Sequence, residues 1–377
     1  MQQDNAMAPV QVTEIPLPDG KIAGQLTLNK PASLNALDLT MAQIMLTSLT
    51  EFAHREEVVL VFIDAAGDKA FCAGGDIVSM YRAMQQAPGE VPDFIQRFFA
   101  LEYRLDHLIH TFPKPVVVWG HGIVMGGGMG LLNGASHRVV TPASRLAMPE
   151  ITIGLYPDVG GSYFLPRLPG HSGLFLGLTG ASINATDACF LTLADYYCDT
   201  LAKQQVLDAL QRTVFSPLTA HDQLSALIGQ HNVAIDERID GQVEEHLEAI
   251  NLACQADDVS VIAKQILSLD STADKWLQRA QQTLEKGSPI TAHLVFEQIQ
   301  RGASMSLADC FKMEMTMSCR CGEFGELQEG VRALLIDKDN QPAWKYPAID
   351  AVPATVVNHF FADIWDVQQH PLADLGA

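Results

Sequence analysis

The chain has 377 residues, of which 48% are hydrophobic and 18% charged, and its formal net charge is −20. This length predicts two or three domains of ordinary size, or one large fold with an extension. The acidic balance excludes a typical nucleic-acid-binding protein, because such proteins neutralise phosphates with lysine and arginine. It also argues against a basic membrane-surface protein. We therefore expect neither nucleic acid nor membrane as a partner.

The N-terminal residues and the cysteines bear on the cellular location. Residues 1–5 show neither the basic segment nor the apolar segment of a secretory signal. The seven cysteines are an odd number at scattered positions, which is typical of a protein in a reducing compartment. Their spacing does not match a zinc site. We therefore expect a soluble cytoplasmic protein with reduced thiols and no metal.

Strand-like and helix-like segments alternate over the first 200 residues. Asp38 is predicted to cap a helix whose apolar positions fall on one face, namely Met41, Met45, Leu49 and Phe52. Strands are predicted over 22–28, 58–63, 116–119 and 137–141. Further helices are predicted through residue 84, over 93–109 and after the glycines 126–128. This alternation indicates α/β packing.

Helical spacing dominates from about residue 200 onward. Helices are predicted over 202–214, 240–253, 258–267, 271–286 and 306–320. Two of them begin with a capping-box pattern, at Ser271 and at Ser306. We predict a catalytic core over residues 1–200 and a mostly helical C-terminal region over residues 201–377.

Two glycine-rich loops each follow a predicted strand and open a helix. One loop holds Gly74 and Gly75, and the other holds the glycines 126–128. Glycine lets a backbone approach a ligand closely, and free N–H groups at a helix start attract negative charge. Two such groups from separate loops would form an oxyanion hole for acyl chemistry. Tight packing of strand against helix is the alternative explanation for either loop alone.

Two carboxylates follow prolines among apolar neighbours. Glu150 comes after Pro149, and Asp158 comes after Pro157. Apolar surroundings raise the pKa of an acid, which fits it for general acid or base catalysis. An N-cap is the alternative for Asp158. Another acid, Glu102, is predicted from its helical pattern alone to be an exposed surface charge.

The sequence resembles the crotonase (enoyl-CoA hydratase/isomerase) superfamily at residues 71–76, 121–128 and 148–150. The longer motif over 149–161, and a second over 330–339 followed by Trp344, are similar to its 3-hydroxyisobutyryl-CoA hydrolase branch. The resemblance extends from the first strand to about Trp344. It implies the crotonase-like ββα superhelix, an α/β fold, with a mostly helical C-terminal extension.

The resemblance also implies residue roles. The N–H groups of Gly75 and Gly127 would form the oxyanion hole, Glu150 would be the catalytic glutamate, and Asp158 would assist it. Glu102 would contact the substrate, so that the implied substrate-binding set is Glu102, Gly127, Glu150 and Asp158. No separate cofactor is implied, because CoA is part of the substrate.

The implied reaction is hydrolysis of a short-chain 3-hydroxyacyl-CoA thioester, with 3-hydroxyisobutyryl-CoA as the expected substrate and valine breakdown as the setting. Hydratases of the superfamily use two glutamates around one water, and Gly130 stands at the first of these positions. An enoyl-CoA hydratase or isomerase is therefore the weaker alternative. A CoA-binding or scaffold protein with little catalysis is a third.

An acyl-CoA partner raises the question of charge, because CoA is an anion and the chain is strongly acidic. Local cations must meet its phosphates, and Lys21, Lys30 and Arg55 are the candidates. The resemblance leaves a homo-oligomer open, because relatives in the superfamily often assemble as trimers or hexamers. The alternative is that the long helical tail folds over the site.

Overall fold

The computed structural model describes residues 7–376, which fall into two compact units. Unit 1 comprises residues 1–75, 105–146 and 183–241, and unit 2 comprises residues 76–104, 147–182 and 242–377. The chain passes several times between the two units, and none of the boundaries between their segments lies at the predicted residue 200.

Unit 1 is built on a six-stranded sheet with the strand order β1-β2-β3-β5-β7-β10. Strand β1 runs antiparallel to β2, and the other neighbours are parallel. All eight residues of β3 are buried, as expected for a strand covered on both faces. The strands of this sheet are β1 (Val10–Pro16), β2 (Ile22–Leu28), β3 (Val58–Ala65), β5 (Val116–Gly120), β7 (His137–Val140) and β10 (Tyr196–Tyr197).

A smaller sheet has the order β4-β6-β8-β9. Its strands are β4 (Ala70–Cys72), β6 (Ile123–Met125), β8 (Arg145–Ala147) and β9 (Ile183–Asn184). Strands β4 and β6 are parallel neighbours, whereas β8 and β9 are antiparallel. Parallel neighbours end at the same sheet edge, so the loops after β4 and β6 emerge side by side.

The helices, in chain order, are α1 (Leu39–His54), α2 (Ile77–Gln86), α3 (Asp93–His110), α4 (Gly127–Gly134), α5 (Gly161–Phe164), α6 (Ser172–Thr179), α7 (Ala185–Phe190), α8 (Ala202–Leu210), α9 (Ala220–Gly229), α10 (Val243–Ala253), α11 (Val259–Leu267), α12 (Lys275–Lys286), α13 (Pro289–Gly302), α14 (Leu307–Phe324), α15 (Glu326–Val331) and α16 (Ala354–Phe360). None of these described helices is long and apolar enough to cross a membrane.

The predicted cap of α1 is confirmed. The Asp38 carboxylate accepts the Met41 N–H at 2.8 Å, and the predicted apolar face is buried. Helices α8 and α9, the first after residue 200, belong to unit 1 and contribute Val206 and Leu224 to the apolar core around Trp119. The first helical segments after residue 200 therefore complete the core of the sheet in unit 1.

Unit 2 is mostly helical, and its helix starts test the two predicted capping boxes. Ser306 caps α14 by accepting the Asp309 N–H at 3.1 Å. The predicted start at Ser271 is wrong, because the Ser271 hydroxyl donates to Gln281 instead of accepting a backbone N–H. The cap of α12 is Asp274, which accepts the Leu277 N–H at 2.9 Å.

Candidate active site

The two glycine-rich loops of unit 1 follow the neighbouring strands β4 and β6. Strand β4 leads to Gly75, and β6 leads to Gly127. Gly128 has no room for a side chain, since a Cβ there would lie 2.4 Å from the carbonyl oxygen of Cys72. Tight packing, the alternative explanation for a glycine loop, therefore applies to Gly128 and fixes the start of α4 against β4.

The N–H groups of Gly75 and Gly127 remain the predicted oxyanion donors. Gly127 is the first residue of α4, and the first N–H groups of a helix have no partner within it. In the other loop, the Leu37 N–H donates to the carbonyl oxygen of Gly74, the residue before Gly75, at 2.8 Å. Unit 1 thus places two backbone donors on neighbouring loops, which is the arrangement that an oxyanion site needs.

Unit 2 holds the three predicted site carboxyl groups, and all of them are buried. Glu102 is 3% exposed, Glu150 is 6% exposed and Asp158 is 4% exposed. The pattern-based expectation of an exposed Glu102 is wrong, because α3 is buried on that side along with Phe99 and Tyr103.

Burial and mutual repulsion raise the pKa values of this carboxyl cluster. Burial is the main cause of a raised pKa at Glu102 and Glu150, and the charge of Asp158 adds to it at both. Burial also raises the pKa of Asp158 to about 6, although its hydrogen-bond contact with Tyr103 opposes the change. Buried acids with raised pKa values are suited to proton transfer near neutral pH.

Asp158→Asn is expected to raise the stability of the protein at about pH 8. The folded pKa of about 6 exceeds 3.8, the ordinary value of an aspartic acid. Stability from the neutral group is therefore fully present below about pH 4 and is lost as the pH rises through 6, by up to about 3 kcal/mol. In urea unfolding, the free energy of unfolding of the variant should rise relative to that of the parent between about pH 4 and pH 8. A difference that does not change with pH would contradict the raised pKa.

The backbone turn that carries Glu150 is closed by its own carbonyl group. Glu150 begins the short 3-10 helix Glu150–Thr152, and its carbonyl oxygen accepts the N–H groups of Ile153 and Leu155. Gly154 has φ +73°, and a Cβ there would lie 2.7 Å from the backbone of Glu326. The glycine of the sequence motif therefore allows this turn to pack closely against α15.

Asp158 lies in a strained loop that a buried glutamate holds in place. Val159 has φ +50°, a conformation that is unfavourable for a β-branched residue. Glu314 of α14 accepts the N–H groups of Gly160 and Ser162, each at 2.8 Å. The alternative role of Asp158 as an N-cap is therefore wrong, because the Glu314 carboxylate of α14 binds these N–H groups instead.

The side chain of Asp158 is bound by a tyrosine. The Tyr103 hydroxyl contacts Asp158 Oδ2 at 2.7 Å and Ser318 Oγ at 2.7 Å. Tyr156 contacts the same Ser318 oxygen at 2.7 Å and donates to the carbonyl oxygen of Glu314 at 2.7 Å. Tyr103 therefore holds Asp158 directly, and Ser318 and Tyr156 hold Tyr103 in turn.

The sequence patterns did not predict four residues of this site, namely Tyr103, Tyr156, Glu314 and Ser318. Glu314 and Ser318 are spaced i, i+4 on α14, and both are buried. Polar side chains repeated on the apolar face of a helix were the available signal. What they bind lies more than 150 positions away in the sequence, which no local pattern shows.

The candidate CoA-phosphate cations of unit 1 already contact local acceptors. Lys21 donates to the Glu56 carbonyl at 3.1 Å, and Lys30 pairs with Asp38 at 2.7 Å. Arg55 pairs with Glu57 at 2.8 Å and also with Glu14. Binding a phosphate through any of these cations would mean exchanging or sharing an existing partner.

A family model described as enoyl-CoA hydratase/isomerase matches residues 23–361. The chain belongs to the enoyl-CoA hydratase/isomerase family. An enoyl-CoA hydratase from Rhodobacter sphaeroides 2.4.1 shares its fold with a TM-score of 0.80 at 32% identity, over 94% of this chain and 98% of that chain. A carnitinyl-CoA dehydratase from Mycobacterium thermoresistibile has a TM-score of 0.82 at 32% identity, over 94% and 97%. The predicted crotonase fold is confirmed.

Curated relatives place the chain within one branch of the enoyl-CoA hydratase/isomerase family. Mitochondrial 3-hydroxyisobutyryl-CoA hydrolase of Gallus gallus is 37% identical, over 90% of this chain and 86% of the relative. The Danio rerio protein of the same name is 38% identical over 91% and 87%, and the Homo sapiens protein is 36% identical over 90% and 86%. The chain is thus a member of the acyl-CoA thioester hydrolase branch, as the sequence motifs predict.

The same relatives contradict the expected cytoplasmic location. All three relatives are named as mitochondrial proteins, and none is named as a cytoplasmic one. The expectation rested on reduced cysteines and on the lack of a secretory signal. Both features separate secreted from non-secreted proteins, but they do not separate one reducing compartment from another.

Proposed function

We propose that this protein hydrolyses a short-chain 3-hydroxyacyl-CoA thioester, with 3-hydroxyisobutyryl-CoA as the substrate and valine breakdown as the setting. The observation that carries the proposal is the buried pair of Glu150 and Asp158, in which Glu150 Oε2 has no hydrogen-bond partner among the described residues. A buried, unpartnered carboxyl oxygen is available to a substrate or a water. The relatives named as 3-hydroxyisobutyryl-CoA hydrolases support the choice of substrate.

In the proposed reaction the thioester carbonyl oxygen accepts the N–H groups of Gly75 and Gly127. One oxyanion donor of this kind is worth about 2.7–4 kcal/mol as charge develops on the oxygen. Glu150 either takes a proton from a water that attacks the carbonyl carbon, or attacks that carbon itself to give a tetrahedral adduct. The carbon–sulfur bond then breaks, and CoA leaves as a thiolate that takes up a proton. In the second case, departure of the thiolate leaves a mixed anhydride, which water hydrolyses to the free acid and Glu150. Asp158 and Glu102 orient the water or the substrate hydroxyl.

Hydration of an enoyl-CoA is the second candidate, since the solved relatives are named as a hydratase and a dehydratase. Against it stands Gly130, a buried residue of α4 without a side chain. If hydratases need an acid at this position, as the resemblance implies, the chain lacks one of their two carboxyl groups. The hydrolase proposal needs no acid there.

Release of free thiol from two substrates decides between these functions. We expect rapid release from 3-hydroxyisobutyryl-CoA, followed with a thiol reagent, and none from crotonyl-CoA. Crotonyl-CoA consumed by hydration, without thiol release from either thioester, would overturn the proposal in favour of a hydratase. A protein that alters neither substrate would favour the CoA-binding or scaffold alternative.

A further inference from the structure

A chain of four short oxygen–oxygen contacts within unit 2 begins at Asp158. Asp158 Oδ2 contacts the Tyr103 hydroxyl, Tyr103 contacts the Ser318 hydroxyl, and Ser318 contacts the Tyr156 hydroxyl. The last contact joins Tyr156 to the backbone carbonyl of Glu314. Each distance is 2.7 Å, the usual length of an O–H···O hydrogen bond, so each contact calls for one proton.

Counting these protons restricts the state of Asp158. The chain has three hydroxyl groups, and each supplies one proton. The Glu314 carbonyl only accepts, so Tyr156 must donate to it, Ser318 to Tyr156, and Tyr103 to Ser318. The contact between Tyr103 and Asp158 is then left without a hydroxyl proton. It becomes a hydrogen bond only if the carboxyl group of Asp158 provides the fourth proton.

We propose that the hydroxyl chain of Tyr103, Ser318 and Tyr156 holds Asp158 in its neutral, protonated form, so that Ser318 and Tyr156 are positioning residues for Asp158. If Asp158 ionises, Tyr103 turns its O–H toward the carboxylate, and one of the other contacts loses its proton. The significance for catalysis rests on the proposed function: a neutral Asp158 places no second negative charge near Glu150, so it does not oppose the ionised Glu150 that the reaction needs.

The charged surroundings of Asp158 favour the same state. The titratable groups that interact with it come from α3, from the segment 150–156 and from α14. Every one of them is an acid, so its ionised form would repel a second negative charge; they are Glu102, Tyr103, Glu150, Tyr156, Glu314 and Cys321. Burial acts in the same direction and raises the pKa of Asp158 to about 6, so the neutral form predominates below that pH.

Two substitutions shorten the hydroxyl chain beyond Tyr103 without touching Asp158. In Ser318→Ala, Tyr103 can donate to an ionised Asp158 at no cost to another contact. In Tyr156→Phe, Ser318 donates to Tyr103 and Tyr103 donates to Asp158, so two protons serve two contacts. In both variants, ionisation of Asp158 no longer costs a hydrogen bond elsewhere in the hydroxyl chain. The midpoint of the Asp158 titration should therefore fall by about one pH unit, the equivalent of one hydrogen bond.

Infrared spectroscopy measures this titration in the full-length protein, because neutral and ionised carboxyl groups absorb differently. Each variant is compared with its own Asp158→Asn derivative between about pH 4 and pH 9, so that the difference spectrum reports the titration of Asp158 and the changes that its charge causes at Glu102 and Glu150. Thr291→Val is the matched control. It removes another buried hydroxyl of unit 2, one that has no hydrogen-bond partner among the described residues, and its midpoint should equal that of the parent.

Lower midpoints in Ser318→Ala and Tyr156→Phe, with no change in Thr291→Val, would support the proposal. Unchanged or higher midpoints in the two variants would overturn it, because an ionised Asp158 that is simply bound by Tyr103 gains nothing from losing Ser318. The readout does not depend on activity. If the parent releases no thiol but the midpoints fall, the proposed function fails while the protonated Asp158 stands.

Discussion

Glu150→Gln is expected to lower the kcat for thiol release from 3-hydroxyisobutyryl-CoA by about 10²–10⁴-fold, the usual contribution of a positioned acid or base. Glutamine fills the same space but can neither take a proton from water nor attack a carbonyl. Burial raises the pKa of Glu150 because it penalises the charged form, and glutamine carries no charge to bury. We therefore expect the variant to fold normally and to bind substrate with little change in KM.

The matched control is Glu244→Gln, the same substitution at an exposed position of α10. It should leave kcat and KM at their parental values. Parental turnover in Glu150→Gln, measured at saturating substrate, would contradict the role proposed for Glu150. A rise in KM at constant kcat would make Glu150 a binding residue only.

Loss of activity alone does not separate the two chemical roles open to Glu150. If Glu150 attacks the carbonyl carbon, water enriched in heavy oxygen can open the mixed anhydride at the glutamate side. Mass spectrometry of the peptide that contains Glu150 would then find the label in its carboxyl group after one turnover. If Glu150 only takes a proton from water, the label enters the acid product and the peptide stays unlabelled.

Local signals in the sequence predicted the elements of the fold well. The strand predicted over 22–28 is observed as Ile22–Leu28, and the cap at Asp38 forms as expected. Each depends on residues within a few positions of one another, and steric preference and capping act over that range. The family resemblance then predicted Glu150 and Asp158 as the catalytic carboxyl groups, and both side chains are buried in unit 2.

Contacts between distant parts of the chain could not be predicted in this way. The pattern around Glu102 does not reveal that its helix is buried there, so an exposed charge was expected. Tyr103 and Ser318 are 215 positions apart, yet their hydroxyl groups meet at 2.7 Å. The state of Asp158 depends on that contact, so the motif identifies the residue while tertiary structure determines its protonation.

Gly128→Ala is expected to lower kcat by about 10²–10³-fold, as the loss of an oxyanion donor does. The new Cβ would lie 2.4 Å from the Cys72 carbonyl oxygen and 2.9 Å from the Cys72 Cβ. Because the nearest atom belongs to the backbone, α4 and β4 must move apart, which displaces the N–H of Gly127 from its place beside the Gly75 loop. Overpacking of this kind also costs about 1–3 kcal/mol of stability.

Gly229→Ala separates this steric effect from the general effect of replacing a helical glycine. Gly229 ends α9 in unit 1, and no atom lies within 4 Å of the Cβ position, so kcat and the urea midpoint should stay near parental values. Both variants are assayed for thiol release well below their unfolding temperatures, so that a lower kcat reflects geometry and not unfolding. If Gly128→Ala is destabilised but turns over at the parental rate, close packing is the whole purpose of the glycine triplet. The oxyanion must then be stabilised by other groups, because a loop that has been displaced cannot supply a donor that depends on its position.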